Sequence, residues 1–294
     1  MANTYDFYKP HLSSEYPEVD GPVSVVTYVA ALDAAYAAFR EKHAKAAKRA
    51  HLNGHSTEKP TDASFSLEDV DYAIFHSPYG KQAVKGHARL MFNDFKVNPK
   101  ASRFANISTP EAFLSASHAV SLTDKNLEKT FINVSKSSFA QKTDPGMVCS
   151  KRLGNMYTAS LYGCLASLLS TVEPASLLGK RVSLFSFGSG CASSFFTLRV
   201  KGDTSNIREK MDLVNRLAQM KVVHPEEFVQ ALHVRVFINI ADTRCSQPYF
   251  LSSVRKTTMQ FRILLKVLLI TFGLVPTTWR VSTQNTDGST FGHL

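Results

Sequence analysis

The 294-residue sequence has little of what defines several common protein classes. It has four cysteines: Cys149, Cys164, Cys191 and Cys245. None of them forms a CxxC pair, and MANTYDFYKP at the N-terminus lacks the apolar core of a secretory leader. We therefore expect reduced thiols and a cytoplasmic location. The longest apolar run, residues 263–275, contains Lys266 and is shorter than the roughly 20 residues that a membrane-spanning helix needs, so we expect no membrane span.

The composition is that of an ordinary globular protein, with 44% hydrophobic and 20% charged residues. The net charge of +10 permits an anionic partner, such as nucleic acid, a membrane surface or a polyphosphate ligand. Much of this charge lies in one segment, residues 40–49, REKHAKAAKR. No aromatic residues interleave with that segment and no nucleic-acid motif accompanies it, so we expect no nucleic-acid partner.

The first regular element is predicted to be a helix from residue 23, because Val25, Tyr28, Leu32 and Tyr36 recur at three- and four-residue steps. This helix is predicted to run into the basic, Ala-rich stretch and to break at residues 52–64, where Asn53-Gly54 and Pro60 indicate a loop. Residues 96–125 are also predicted to be loop-like.

The most informative stretch is IFHSPYGKQAVK, residues 74–85. It predicts a strand over residues 72–75, an N-cap at Ser77 and a helix whose first residue is Pro78. His76 would lie on the turn before that helix, and Lys81 and Lys85 would share one helical face. This pattern suits a thioester of coenzyme A, but a core histidine beside two solvated lysines explains the same residues.

Two further blocks predict central elements of the fold. GNMYTASLYGCLASLL, residues 154–169, predicts a buried helix with Asn155 at its start, because the segment is apolar and small on every side. GKRVSLFSFGSGCASSFFTLRV, residues 179–200, predicts two strands joined by a Gly-Ser-Gly turn as an antiparallel hairpin.

These three blocks, together with YDFYKP, SSEYPEVDGPVS and YVAALDAAY near the N-terminus, resemble the hydroxymethylglutaryl-CoA synthase family. The resemblance runs in family order from about Thr4 to about Arg235. Relative to the family, residues 43–64 are expected to be an inserted basic loop. It implies an α/β, thiolase-like layered α-β-α fold, of which this chain holds mainly the C-terminal half. We therefore predict a family domain over residues 1–235 and an unrelated, poorly ordered tail over residues 236–294, with a helix near residues 260–271.

The resemblance also implies an acyltransferase activity. Enzymes of this family condense acetyl-CoA with acetoacetyl-CoA to hydroxymethylglutaryl-CoA in the mevalonate pathway, which leads to isoprenoids and sterols. Beyond these thioester substrates no cofactor and no metal is implied, and the family expectation is a homodimer.

Matching motifs carry the family's site residues onto this sequence. His76 corresponds to the catalytic histidine, which binds and protonates the acetoacetyl oxygen. The substrate- and CoA-binding residues would be Ser24, Lys81, Lys85, Asn155 and Ser189. Asp6 and Tyr157 are further candidates.

The resemblance places the family's cysteine nucleophile and glutamate base upstream of the residues matched here, and none of the four cysteines matches the nucleophile. We therefore expect this chain alone to be inactive, since the covalent step needs a thiolate. The alternative function is that of a non-catalytic thiolase-like remnant, which binds CoA or associates with a complete subunit.

Overall fold

The computed structural model describes residues 2–8, 17–53 and 64–232. Its helices are α1 (Gly21–Leu52), α2 (Gly80–Val97), α3 (Pro110–Ser115), α4 (His118–Thr123), α5 (Lys125–Lys142), α6 (Val148–Leu153), α7 (Ser160–Thr171), α8 (Pro174–Leu177), α9 (Ser205–Met211) and α10 (Leu213–Ala218). Its strands are β1 (Phe7–Tyr8), β2 (Glu18–Val19), β3 (Tyr72–Phe75), β4 (Arg181–Gly188) and β5 (Ala192–Arg199).

The central sheet has the order β3-β4-β5. Strands β3 and β4 are parallel, with Phe75 opposite Phe185. Strands β4 and β5 form the predicted antiparallel hairpin, with Gly188 opposite Ala192 across the turn. Strand β4 has neighbours on both sides and is buried over most of its length, so it is the centre of the sheet.

Helices cover both faces of this sheet. On one face, the Tyr28 ring of α1 lies 5.3 Å from the Phe185 ring and 5.2 Å from the Phe187 ring, measured between centroids. Because side chains alternate along a strand, Leu184 points to the other face, where α7 packs against β3 and β4. The predicted α-β-α layering is therefore confirmed.

Helix α1 begins at a regular N-cap and runs through the basic stretch, as its periodicity predicted. The Asp20 carboxylate accepts a hydrogen bond of 3.0 Å from the backbone N–H of Val23. The helix continues to Leu52, so residues 43–52 are helical, and their assignment to a loop was wrong. Helix formers such as Ala, Lys and Arg dominate that stretch, which explains the continuation.

By length and composition alone, the segment Gly21–Arg49 of α1 could span a membrane. Its buried side chains include Tyr28, Leu32 and Tyr36, at four-residue intervals. These side chains belong to the hydrophobic core that also contains Phe75 and Phe185. Such packing identifies α1 as a core helix of this domain.

Helix α2 begins two residues later than predicted. Its N-cap is Tyr79 and its first residue is Gly80, while the Ser77 hydroxyl donates to the Tyr79 carbonyl at 3.3 Å. The Ser77 backbone N–H donates instead to the Ser160 hydroxyl at 2.9 Å. This long-range hydrogen bond holds the residues before α2 against the start of α7.

Two other predictions needed correction. Residues 96–125 are not a continuous loop, because α3 and α4 form there, with the Ser117 hydroxyl capping α4 at the Val120 N–H. The buried helix begins at Ser160 rather than near Asn155, whose side-chain oxygen accepts from the Tyr157 N–H at 2.9 Å in the preceding turn. The predicted burial of α7 is confirmed.

A buried carboxylate joins three parts of the fold on the α1 face of the sheet. Asp94 of α2 accepts hydrogen bonds of 2.9 Å from the Tyr36 hydroxyl and from the Leu67 N–H. It also pairs with the Arg40 guanidinium of α1. Burial raises the pKa of Asp94, and these partners oppose that shift.

The predicted tail, its helix near residues 260–271, and the loop residues 54–63 lie outside the described residues. The boundary proposed at residue 235 stays a prediction, which limited proteolysis tests.

Candidate active site

A cavity of about 1000 Å³ opens where β3 and β4 end. Because these strands are parallel, their carboxyl ends meet at one edge of the sheet. The cavity walls come from the first turns of α1 and α2, from the junction between α4 and α5, and from residues 155–158 and 187–189. Several predicted site residues line it: Ser24, His76, Lys85, Asn155, Tyr157 and Ser189.

His76 lies on the turn between β3 and α2, and its backbone is held on both sides. Its N–H donates to the Phe185 carbonyl at 2.7 Å, and its carbonyl accepts from the Tyr28 hydroxyl at 2.8 Å. Among the described residues, none hydrogen bonds to the imidazole ring. Burial lowers the pKa of His76 to about 4, so the ring is neutral at pH 7 and carries one N–H donor.

Ser189 lies on the hairpin turn and is held by a second predicted residue. Its hydroxyl donates to Asp6 Oδ2 at 3.2 Å. Asp6 is fully buried and does not line the cavity, but it contacts Ser189, which does. Its other oxygen, Oδ1, has no hydrogen-bond partner within the described part of the chain.

The two predicted lysines differ in position. Lys85 lines the cavity and pairs with Glu128 of α5 at 3.1 Å. Glu128 also lies 3.9 Å from Lys125, which lines the cavity at the start of α5. Lys81 is exposed on the first turn of α2 and does not line the cavity, although it lies only four residues from Lys85.

The thiols of the described residues lie outside the cavity. Cys149 and Cys164 are buried, and burial raises the pKa of Cys164 to about 11. Burial also raises the pKa of Cys149. Neither they nor the half-buried Cys191 line the cavity, so no described thiol is placed there as a nucleophile. Within the described ranges there is also no group of three or more His, Cys, Asp or Glu side chains that could bind a metal ion.

Sequence reasoning missed several polar residues of the cavity, among them Tyr28, Gln82 and Lys125, and it missed Glu128, which pairs with Lys85. Gln82 could have been found, because it precedes Lys85 by three residues and so shares its helical face. The pairing of Glu128 with Lys85 joins two helices far apart in sequence, and no local pattern indicates it.

Comparison with known proteins agrees with this geometry. A family model described as "Hydroxymethylglutaryl-coenzyme A synthase C terminal" matches residues 1–247. A hydroxymethylglutaryl-CoA synthase of Ganoderma lucidum is 57% identical over 235 residues, which are 80% of this chain and 48% of that protein. The mitochondrial hydroxymethylglutaryl-CoA synthase of Homo sapiens is 41% identical over 242 residues, which are 80% of this chain and 46% of that protein.

Among solved structures, MvaS in complex with 3-hydroxy-3-methylglutaryl coenzyme A is similar, with a TM-score of 0.59 and 29% identity over 79% of this chain and 48% of that one. The fold is therefore thiolase-like, as the sequence predicted. The chain belongs to the hydroxymethylglutaryl-CoA synthase family. It spans about half the length of the relatives that it matches.

Proposed function

We propose that this chain provides the thioester-binding part and the histidine of a hydroxymethylglutaryl-CoA synthase, which joins acetyl-CoA and acetoacetyl-CoA. The observation that carries the proposal is the cavity at the ends of β3 and β4. It brings His76, Asn155 and Ser189 together with Lys85, although these residues lie in separate blocks of the sequence.

In this function His76 acts on the ketone oxygen of the acetoacetyl group. Negative charge develops on that oxygen when a carbon nucleophile attacks the ketone. The neutral imidazole donates its N–H to the oxygen in a hydrogen bond and so stabilises the charge that develops as the new carbon–carbon bond forms. Asn155 and Ser189 add polar groups around the acyl end, and Lys85 contacts the anionic part of CoA.

Under this proposal, the described residues alone do not complete the synthase reaction. Transfer of the acetyl group needs a thiolate, and the raised pKa values of Cys149 and Cys164 keep both thiols protonated at pH 7. The purified chain is therefore expected to give no synthase turnover and no acetyl-enzyme from acetyl-CoA. Detection of either product by mass spectrometry would contradict this expectation. CoA binding without turnover is also what the non-catalytic alternative requires.

The binding site is tested with acetoacetyl-CoA and two substitutions, using isothermal titration calorimetry. Lys85→Ala is expected to weaken binding about tenfold, since it removes a charged hydrogen-bond donor. Lys136→Ala removes an exposed lysine of α5 and is the matched control. His76→Ala is expected to weaken binding of acetoacetyl-CoA more than that of CoA, which has no ketone. If the unsubstituted chain binds and neither site substitution differs from the control, the proposed site is wrong.

The exposed position of Lys81 gives its predicted role a separate test. Lys81→Ala is expected to weaken CoA binding less than Lys85→Ala does, because Lys81 does not line the cavity. An equal or larger loss would place the anionic groups of CoA outside the cavity mouth.

The family expectation of a homodimer and a cytoplasmic location remain part of this proposal. Free Cys149, Cys164 and Cys191 are consistent with a reducing compartment. Light scattering and cell fractionation test the two statements.

A further inference from the structure

Gln82 is a buried polar residue of the cavity that the proposed function does not use. Its side chain is 2% exposed, and it lines the cavity together with His76 and Lys85. A buried amide in such a place is costly unless both its carbonyl and its NH2 group have partners.

Only one half of the Gln82 amide has a partner in the described structure. The Tyr79 hydroxyl donates to Gln82 Oε1 at 2.9 Å. Gln82 Nε2 is buried and has no hydrogen-bond partner among the described residues. If the amide is turned over, the Tyr79 hydroxyl accepts from Nε2 and the carbonyl is left without a partner, so the deficit remains.

The position of Gln82 along the chain indicates which part of a ligand it meets. It lies on the first turn of α2, six residues after His76 on the preceding turn and three residues before Lys85, so along the chain it stands between the two. In a CoA thioester the pantetheine arm joins the acyl group to the phosphates. That arm carries carbonyl groups, which accept hydrogen bonds.

We propose that the Gln82 amide hydrogen bonds to a carbonyl of the pantetheine arm, with Tyr79 holding the amide in place. This inference rests on the proposed function, because it takes the acyl group to lie near His76 and the phosphates near Lys85. It assigns Gln82 to substrate binding and Tyr79 to positioning.

The test compares two ligands on the full chain by calorimetry. CoA contains the arm, whereas 3′-phosphoadenosine 5′-diphosphate contains only its nucleotide. Gln82→Met keeps the length of the side chain and removes the amide, and Gln141→Met makes the same change at an exposed position of α5. Gln82→Met is expected to weaken CoA binding roughly two- to tenfold, the range for one neutral hydrogen bond, and to leave nucleotide binding unchanged.

Three other results would contradict either the inference about Gln82 or the proposed function. CoA affinity equal to that of the Gln141→Met control overturns the inference. Equal weakening of both ligands overturns it too, because a general disturbance of the cavity would produce that result. If the unsubstituted chain binds nucleotide but not CoA, the proposed function itself fails. Gln82→Leu is the second variant if thermal unfolding shows that Gln82→Met does not fold.

Discussion

His87 is a fully buried histidine that the fold holds in its neutral form. Its Nδ1 lies 2.8 Å from Thr143 Oγ1, and its Nε2 lies 3.0 Å from Ser138 Oγ. Burial, and to a smaller extent the charge of Lys142, lowers the pKa of His87 from 6.5 to about 3. Between these two pH values the unfolded chain binds more protons than the folded chain. The free energy of unfolding must therefore fall as the pH decreases below about 6.5.

The size of this effect follows from the two pKa values. From pH 7 to pH 5, one group with these values lowers the free energy of unfolding by about 2 kcal/mol. His87→Asn removes the titrating ring and keeps a group that can hydrogen bond. Whatever its stability at pH 7, the variant should lose about 2 kcal/mol less than the unsubstituted chain on acidification. His76, with its pKa lowered to about 4, titrates in both proteins and cancels in the comparison.

Urea denaturation at pH 7 and pH 5 measures the four free energies that this comparison needs. His43→Asn makes the same substitution at an exposed position of α1 and is the matched control. Equal losses in the His87 variant and in the unsubstituted chain would refute the reasoning, because His87 would then titrate alike in both states.

Three further predictions concern the core. Asp94→Asn breaks the buried ion pair with Arg40 and should lower the free energy of unfolding by about 3 kcal/mol, and an unchanged urea midpoint would contradict this. Gly86→Ala should lower the melting temperature, because the new methyl carbon would lie 3.2 Å from the buried Phe75 ring, and a higher melting temperature would show that the ring can move. Iodoacetamide at pH 8 should label Cys164 only after denaturation, since burial raises its pKa to about 11, and rapid labelling of the folded chain would disprove that.

The parts of the fold that sequence could predict are those set by local patterns. Strand β3 was predicted with its observed bounds, and the Gly-Ser-Gly turn correctly indicated the β4–β5 hairpin. The start of α2 was placed too early: the Ser77 hydroxyl bonds to the Tyr79 carbonyl instead of capping a helix, and the Ser77 N–H bonds to Ser160, which lies 83 residues away. Contacts at that separation leave no local signal.

The candidate site also has a part that sequence motifs predict and a part that depends on long-range packing. The residues themselves could be predicted only because their motifs resemble those of one family. Their convergence depends on the parallel pairing of β3 with β4, which places His76 and Ser189 at one edge of the sheet. Lys85 lines the cavity and pairs with Glu128, whereas Lys81 is exposed. This difference depends on how α2 packs against α5.

The order of the strands along the chain also delays the assembly of the central sheet during synthesis. Asp71 precedes β3 and bonds to Arg181 at the start of β4, 110 residues later. At typical translation rates, a ribosome needs roughly 5 to 20 s to make that much chain. During this interval β3 lacks β4, its partner in the described sheet, and the aromatic face of α1 lacks the Phe185 and Phe187 rings against which it packs. The nascent chain therefore depends on the late arrival of β4, and this interval is when chaperones would most affect its yield.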